Sequence, residues 1–187
     1  MLEKNELEKL YYQLRNETLN KWNRVLPAAD LIVDRWEKAA FLNFGENSSI
    51  YDSSIVMGSV KVGKNTWIGP DTLLDGTGGL LQIGDGCDIS AGVQIYTHNS
   101  IYRCLSEGKM PLETGNVSIG DFSYIAPMSI ISSGVTIGTH CLVAAHSLVK
   151  QNFESYSIIA GIPAKQIGKV ELKNNTVKLN YYKGAEK

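Results

Sequence analysis

An all-β solenoid is the fold class this sequence predicts, and three observations carry it. An aliphatic residue recurs every six positions, a small or β-branched side chain follows most of these four places later, and glycine or alanine often stands directly behind them. The aliphatic series runs Ile50, Val56, Val62, Ile68, Leu74, returns at Ile83, Ile89, Ile95, and returns again at Ile119, Ile125, Ile131, Ile137, Val143, Val149. Its companions include Thr66, Thr72, Cys87, Val93, Ser123, Ser129, Val135, Cys141 and Ser147, with Gly63, Gly69, Gly84, Gly120, Ala126, Gly138 and Ala144 next to the aliphatics. A strict period of six matches neither the 3.6 of a helix nor the 2 of an ordinary strand. It matches a parallel β-helix in which each hexapeptide forms one side of a triangular coil, the aliphatic points inward, and the glycine or polar pair makes the corner.

Two interruptions break the series. Leu74 and Ile83 are nine apart, and the extra length carries Asp75-Gly76-Thr77-Gly78-Gly79; residues 99–116, NSIYRCLSEGKMPLETGN, lack the pattern and read as an extruded loop. Inserts in a solenoid emerge as loops, commonly on the binding face. Ahead of the repeat, Leu7, Leu10, Tyr11 and Leu14 recur at helical spacing up to about Trp22, Pro27 breaks the run, and Ile32, Trp36, Ala39 and Ala40 predict a second short helix begun near Asp30. Residues 1–44 are therefore expected to cap one end of the coil, residues 45–168 to form it, and the polar stretch 169–187 to be a solvated tail.

Composition narrows the function. Eighteen Lys and Arg against 19 Asp and Glu leave a formal net charge of -1, which supplies no broad positive field for nucleic acid or anionic lipid. The charged start MLEKNELEKL does not read as a signal peptide and no apolar run approaches ~20 residues, so a cytoplasmic protein without membrane insertion is expected. Cys87, Cys104 and Cys141 are odd in number and widely spaced, which fits packed or free thiols and neither a disulfide framework nor a zinc cluster. The histidines are His98, His140 and His146. His98 stands where the repeat ends and the long loop begins, a place from which a side chain reaches a cleft; His140 and His146 fall at predicted corners and read as exposed turn residues.

With these pieces in place, the stretches IGDGCDISAGVQIYTHN (83–99), VSIGDFSYIAPMSIISSGVTIGTH (117–140) and LVAAHSLVKQNFESYSIIAGIPAKQIGK (142–169) resemble the bacterial hexapeptide-repeat acyltransferases. The resemblance implies a left-handed parallel β-helix, whereas general crossover rules would favour the right hand. Within the family, DGTGGL, YTHN and the LSEGK loop resemble the acetyltransferases of surface-polysaccharide clusters. The resemblance further implies transfer of an acetyl group from acetyl-coenzyme A to a sugar hydroxyl, in a homotrimer, with no metal. An amino group on a nucleotide-linked sugar is the alternative acceptor, and a metal hydratase like the γ-type carbonic anhydrases is a remote second alternative that would need all three histidines.

Such chemistry needs a base near neutrality and donors for an oxyanion. His98 coincides with the family's catalytic histidine. Asn99, Asp75 and Glu113 are the candidates to orient it and to line the acceptor pocket, and Tyr124 either stacks on a ligand or pads a subunit contact. Position by position, the resemblance assigns coenzyme A to Ala126, Ser133, Ala144, Ala145, Lys150, Pro163 and Lys165.

Overall fold

The structure, a computed structural model, describes residues 4–184. Helices α1 (Lys4–Trp22), α2 (Ala28–Ile32) and α3 (Arg35–Phe41) lead into the β region. There follow β1 (Ser49–Ile50), β2 (Ile55–Val62), β3 (Trp67–Ile68), β4 (Leu73–Ile83), β5 (Asp88–Ile89), β6 (Gln94–Tyr96) and β7 (His98–Asn99). After α4 (Ile101–Leu105) come β8 (Glu113–Thr114), β9 (Val117–Ile119), β10 (Tyr124–Ile125), β11 (Ile130–Ile131), β12 (Thr136–Ile137), β13 (Leu142–Val143) and β14 (Leu148–Val149). The chain closes with β15 (Ser157–Gly161), β16 (Ala164–Lys173) and β17 (Thr176–Tyr181).

The fold is mostly β, in curled parallel sheets. One row runs β1, β3, β5, β10, β13, β15; a second runs through the first part of β4, then β6, β11 and β14; a third joins the end of β4 to β9 and β12. Because β2 and β4 are eight and 11 residues long, each bends through two rows. The regular hydrogen-bonded offset is 18 residues, three hexapeptides, as between Ser48 and Thr66. It becomes 21 between Thr66 and Cys87, which absorbs the DGTGG insert, and 36 between Asp85 and Asp121, which spans the long loop.

The recurring aliphatics are the core. All are buried except Val56, which packs against the core from a half-buried position. The small residues four places on are also buried, and their hydroxyls tie one corner to the next: Ser123 Oγ donates to the Gly138 carbonyl at 3.0 Å and Ser129 Oγ to that of Ala144 at 3.0 Å. An apolar side chain at 123 would remove the donor to the Gly138 carbonyl, whereas the Ala144 carbonyl is also held by Ser147 Oγ at 2.7 Å.

The corner differs from expectation in one respect. The left-handed backbone conformation falls three residues after the aliphatic, on Asn65, Asp71, Phe122, Met128, His140 and His146, at φ between 54 and 59°. The glycine directly behind the aliphatic instead allows successive coils to touch: a Cβ at Gly120 would lie 2.7 Å from the Gly138 carbonyl carbon. His140, expected as an exposed turn residue, is half-buried and stacked on Tyr156, with ring centroids 4.9 Å apart and an interplanar angle of 15°, with Phe122 on its other flank at 5.1 Å.

Both ends are more ordered than the sequence predicts. The second helix divides in two, because Asp34 adopts an extended conformation and caps α3 by accepting from the Trp36 and Glu37 amides at 2.9 and 3.0 Å. Asp30 does not start a helix; it is buried and accepts from the Asp52 amide. Lys38 on α3 fastens the cap to the first coil through the carbonyls of Tyr51, Asp52 and Ser54 and the Asp52 carboxylate. The C-terminal stretch is solvated over its described residues, as expected, but it is ordered and no loose tail: β16 turns back on β15 and then pairs with β17, so the region beyond Gly168 extends the first sheet as a largely exposed antiparallel ribbon. Alternation hides this ribbon in the sequence, since Val170, Leu172, Val177 and Leu179 are separated by polar residues that dominate the local composition.

Candidate functional site

The DGTGG insert and the end of the second row meet at His98. Asp75 pairs in register with Tyr96 one coil away, and the chain reaches His98 two residues later. There the repeat stops. Strand β7 pairs antiparallel with β8, His98 opposite Thr114 and Asn99 opposite Glu113, and Asn99 Nδ2 donates to Glu113 Oε2 at 2.7 Å. This two-stranded clip closes the base of the 99–116 loop, which carries α4 and is exposed along most of its length.

The buried side chain beside His98 is Asp75, 1% exposed, whose Oδ2 lies 3.0 Å from His98 Nδ1. Thr77 donates to Asp75 Oδ1 from its amide at 2.9 Å and from its hydroxyl at 2.6 Å, and the same hydroxyl lies 3.1 Å from Nδ1. Behind them, Thr97 Oγ1 donates to the Asp75 carbonyl at 2.8 Å and accepts from the Gly78 amide at 2.9 Å. Only glycine fits at 78, since a Cβ there would come within 2.5 Å of the His98 Cβ. Asp75 thus faces the histidine and is shut away from an acceptor; of the three candidate orienting residues, the structure places Asp75 against the ring, while Asn99 and Glu113 bond to each other.

His98 opens on a cleft of about 940 Å³, lined among others by Tyr96, Tyr102, Glu113, Ser133, Leu148 and Lys150. This volume falls in the range of ~300–1,000 Å³ common for ligand sites. Asn99 also lines it. Tyr124 does not: it lies half-exposed on β10, in the first row, away from the cleft of its own chain. The residues assigned to coenzyme A divide between two corners. Ser133 and Lys150 share the His98 cleft, whereas Ala126, Ala144 and Ala145 follow the first row at the preceding corner, and Pro163 and Lys165 flank it from the turn into β16. Ala126 is buried, Ala144 half-buried, and Ala145, Pro163 and Lys165 exposed. His140 and His146 occupy separate corners, and no group of three or more metal-ligating side chains is gathered among the described residues. The sequence reading missed Thr77, Tyr96 and Tyr102. Thr77 lies inside an insert expected on the binding face, and Tyr96 two residues before His98; their convergence depends on the cross-coil register.

Comparison with known proteins agrees with the geometry. Residues 116–151 match the family model described as bacterial transferase hexapeptide (six repeats). Over 160 residues the chain is 28% identical to dTDP-4-amino-4,6-dideoxy-D-glucose acyltransferase of Escherichia coli, covering 70% of this chain and 83% of that protein. It is 33% identical over 108 residues to serine acetyltransferase 4 of Arabidopsis thaliana and 27% over 129 residues to the carnitine operon protein CaiE of a Proteus strain. These matches cover 57% and 63% of this chain but only 30% and 62% of those proteins. Among solved structures, AntD, an N-acyltransferase from Bacillus cereus in complex with dTDP and 3-hydroxybutyryl-CoA, superposes with a TM-score of 0.60 at 26% identity, over 67% of this chain and 71% of that one. A hexapeptide-repeat acetyltransferase of Vibrio cholerae complexed with acetyl coenzyme A shares the fold at a TM-score of 0.54 and 22% identity, over 89% and 90% of the two chains. In its repeat, its 18-residue register and these matches, the chain is similar to the bacterial hexapeptide-repeat transferases, whose family model it matches over residues 116–151.

Proposed function

We propose that the protein is an acyl-coenzyme A-dependent acetyltransferase, a left-handed β-helix over residues 45–168 that works as a cytoplasmic homotrimer and acetylates a sugar hydroxyl of the surface-polysaccharide type. The observation that carries this reading is the His98–Asp75 contact at the mouth of a cleft that also holds Ser133 and Lys150. The cleft's volume and its lysine suit a pantetheine arm with an anionic end, and the relatives with bound acetyl coenzyme A or 3-hydroxybutyryl-CoA support that fit. Acetyl-coenzyme A supplies a thioester carbonyl carbon. With Nδ1 engaged, Nε2 of His98 removes the acceptor hydroxyl proton as that oxygen bonds to the carbonyl carbon. When the C–S bond breaks, its electron pair leaves on sulfur, and Nε2 returns the proton there, giving the ester and the free thiol. Glu113 and Asn99, held together at the clip, face the acceptor end, and Tyr102 offers a ring for a sugar face.

A second reading has its own support. The Escherichia coli relative is named for a dTDP-linked amino sugar and AntD is an N-acyltransferase, which favours an amine acceptor. Thiol release from acetyl-coenzyme A against free hexoses, an oligosaccharide and a dTDP-linked amino sugar separates the two. His98→Ala refines the answer: a hydroxyl needs the base at every accessible pH, so kcat should fall by roughly 10²–10⁴-fold and stay low from about pH 6 to 9. Recovery toward alkaline pH would mark an amine acceptor, which loses its own proton to solvent, and full activity throughout would remove His98 as the base.

A further inference from the structure

The structure assigns Thr77 a role as the positioning residue that sets which ring nitrogen of His98 carries the proton. The inference rests on the reading of His98 as the base. It comes from counting hydrogens. A threonine hydroxyl has one proton to give and a carboxylate has none, so the 2.6 Å contact between Thr77 Oγ1 and Asp75 Oδ1 uses the hydroxyl's proton. The same oxygen then meets His98 Nδ1, 3.1 Å away, only as an acceptor. Asp75 Oδ2, 3.0 Å from Nδ1, is also an acceptor. Two acceptors converge on one nitrogen, and that arrangement requires the proton on Nδ1, so that in the neutral ring the Nε2 lone pair is bare toward the cleft.

Asp75 alone would not hold this as firmly. A single contact to Oδ2 leaves the ring free to pivot about it, whereas Thr77 adds a second point of attachment off that axis. The hydroxyl also occupies Oδ1, which directs Oδ2 to the ring, and the Thr77 amide seconds that hold at 2.9 Å. Thr77 is itself fixed by the backbone. It sits between Gly76 and Gly78, and the Gly78 amide is bound to Thr97 Oγ1 on the coil that delivers His98. Branching at Cβ narrows the side chain's rotamer choice and so keeps the hydroxyl in place. The three-residue excess of the DGTGG insert over a plain hexapeptide accordingly carries a chemical part, the hydroxyl, between acid and base.

Thr77→Val keeps shape and branching and removes the hydroxyl; Thr77→Ser keeps the hydroxyl. Histidine-selective 15N NMR of the full protein reads the tautomer without any substrate, and with three histidines in the chain the His98 signals are assigned by their loss in His98→Ala. The wild type should show Nδ1 protonated and Nε2 bare. Thr77→Val should show a mixture of tautomers and, with acetyl-coenzyme A and the fastest of the acceptors named for thiol release, a kcat lowered about tenfold with both KM values little changed; Thr77→Ser should restore spectrum and rate. A Thr77→Val protein with the wild-type tautomer overturns the assignment whether or not its rate falls, and leaves His98 as the base. A wild type protonated on Nε2 overturns the base reading itself.

Discussion

At the scale of single residues, the site turns on a carboxylate with almost no access to water. Asp75 accepts from the Thr77 amide and hydroxyl and contacts His98, so an amide in its place would turn one acceptor into a donor aimed at Nδ1. Asp75→Asn should therefore lower kcat on the order of 10³-fold with small changes in KM, as measured by thiol release, because the ring is driven to the wrong tautomer. Lys38 does comparable work for the fold. Its ammonium meets three carbonyls and the Asp52 carboxylate within 3.1 Å, so Lys38→Met takes the donor from the part-buried Asp52 and Ser54 carbonyls and from the carboxylate, while the Tyr51 carbonyl keeps the Ser54 amide. The loss should be about 2 kcal/mol, lowering the melting temperature by roughly 4–8 °C in a thermal scan. Burial pushes the Cys87 and Cys141 thiols above the ordinary value of 9.0. The folded state holds these protons more tightly than the unfolded chain. Their contribution to stability is then whole below pH 9.0 and is lost as pH rises through the folded values. A Cys87→Ala/Cys141→Ala protein should show a shallower alkaline loss of melting temperature than the wild type, and at neutral pH a thiol reagent should label exposed Cys104 first.

At the scale of elements, what was legible came from local repetition and what was hidden depended on register. Ile119 through Val149 announced their rows because each hexapeptide repeats the same interior contact. The partner of His98 could not be chosen from Asn99, Asp75 and Glu113 by sequence distance, since Asp75 reaches it across coils while Asn99 next door turns to Glu113. The ribbon of β16 and β17 was hidden, and the two readings of Tyr124 stayed undivided, for a related reason: an outward-facing strand residue looks the same in sequence whether it lines a cleft, a subunit contact or a free face. Asp34 with Glu37 three places on was a readable helix start, overlooked because Asp30 offered a similar signal earlier. The clip of β7 and β8 gives the long loop a rigid base, so replacing residues 101–112 by a short glycine linker should preserve the circular dichroism of the coil and raise acceptor KM by roughly tenfold. An unchanged KM would detach the loop from acceptor binding.

At the scale of the whole molecule, the outer sides of the coil keep Ile55, Met57, Tyr124, Met128 and Ile130 in contact with solvent in a single chain. A closed ring of three copies would bury such sides and bring the corner of Ala126, Ala144 and Ala145 toward a neighbour's cleft, completing a site that one chain divides. Light scattering should give three times the 20.5 kDa chain mass at micromolar concentration, and a single-chain mass would remove the interfacial groove. The 18-residue register also makes the coil a measuring rod. Asp75 and His98 are read off adjacent graduations, so their separation is fixed by the spacing of neighbouring strands, ~4.8 Å. Lys150 lies two graduations further along the same edge, past β11 and β14. Duplicating residues 132–149 would add one mark between His98 and Lys150 and none between His98 and Asp75, lengthening the reach demanded of a bound donor while the proton-transfer distances stay as they are.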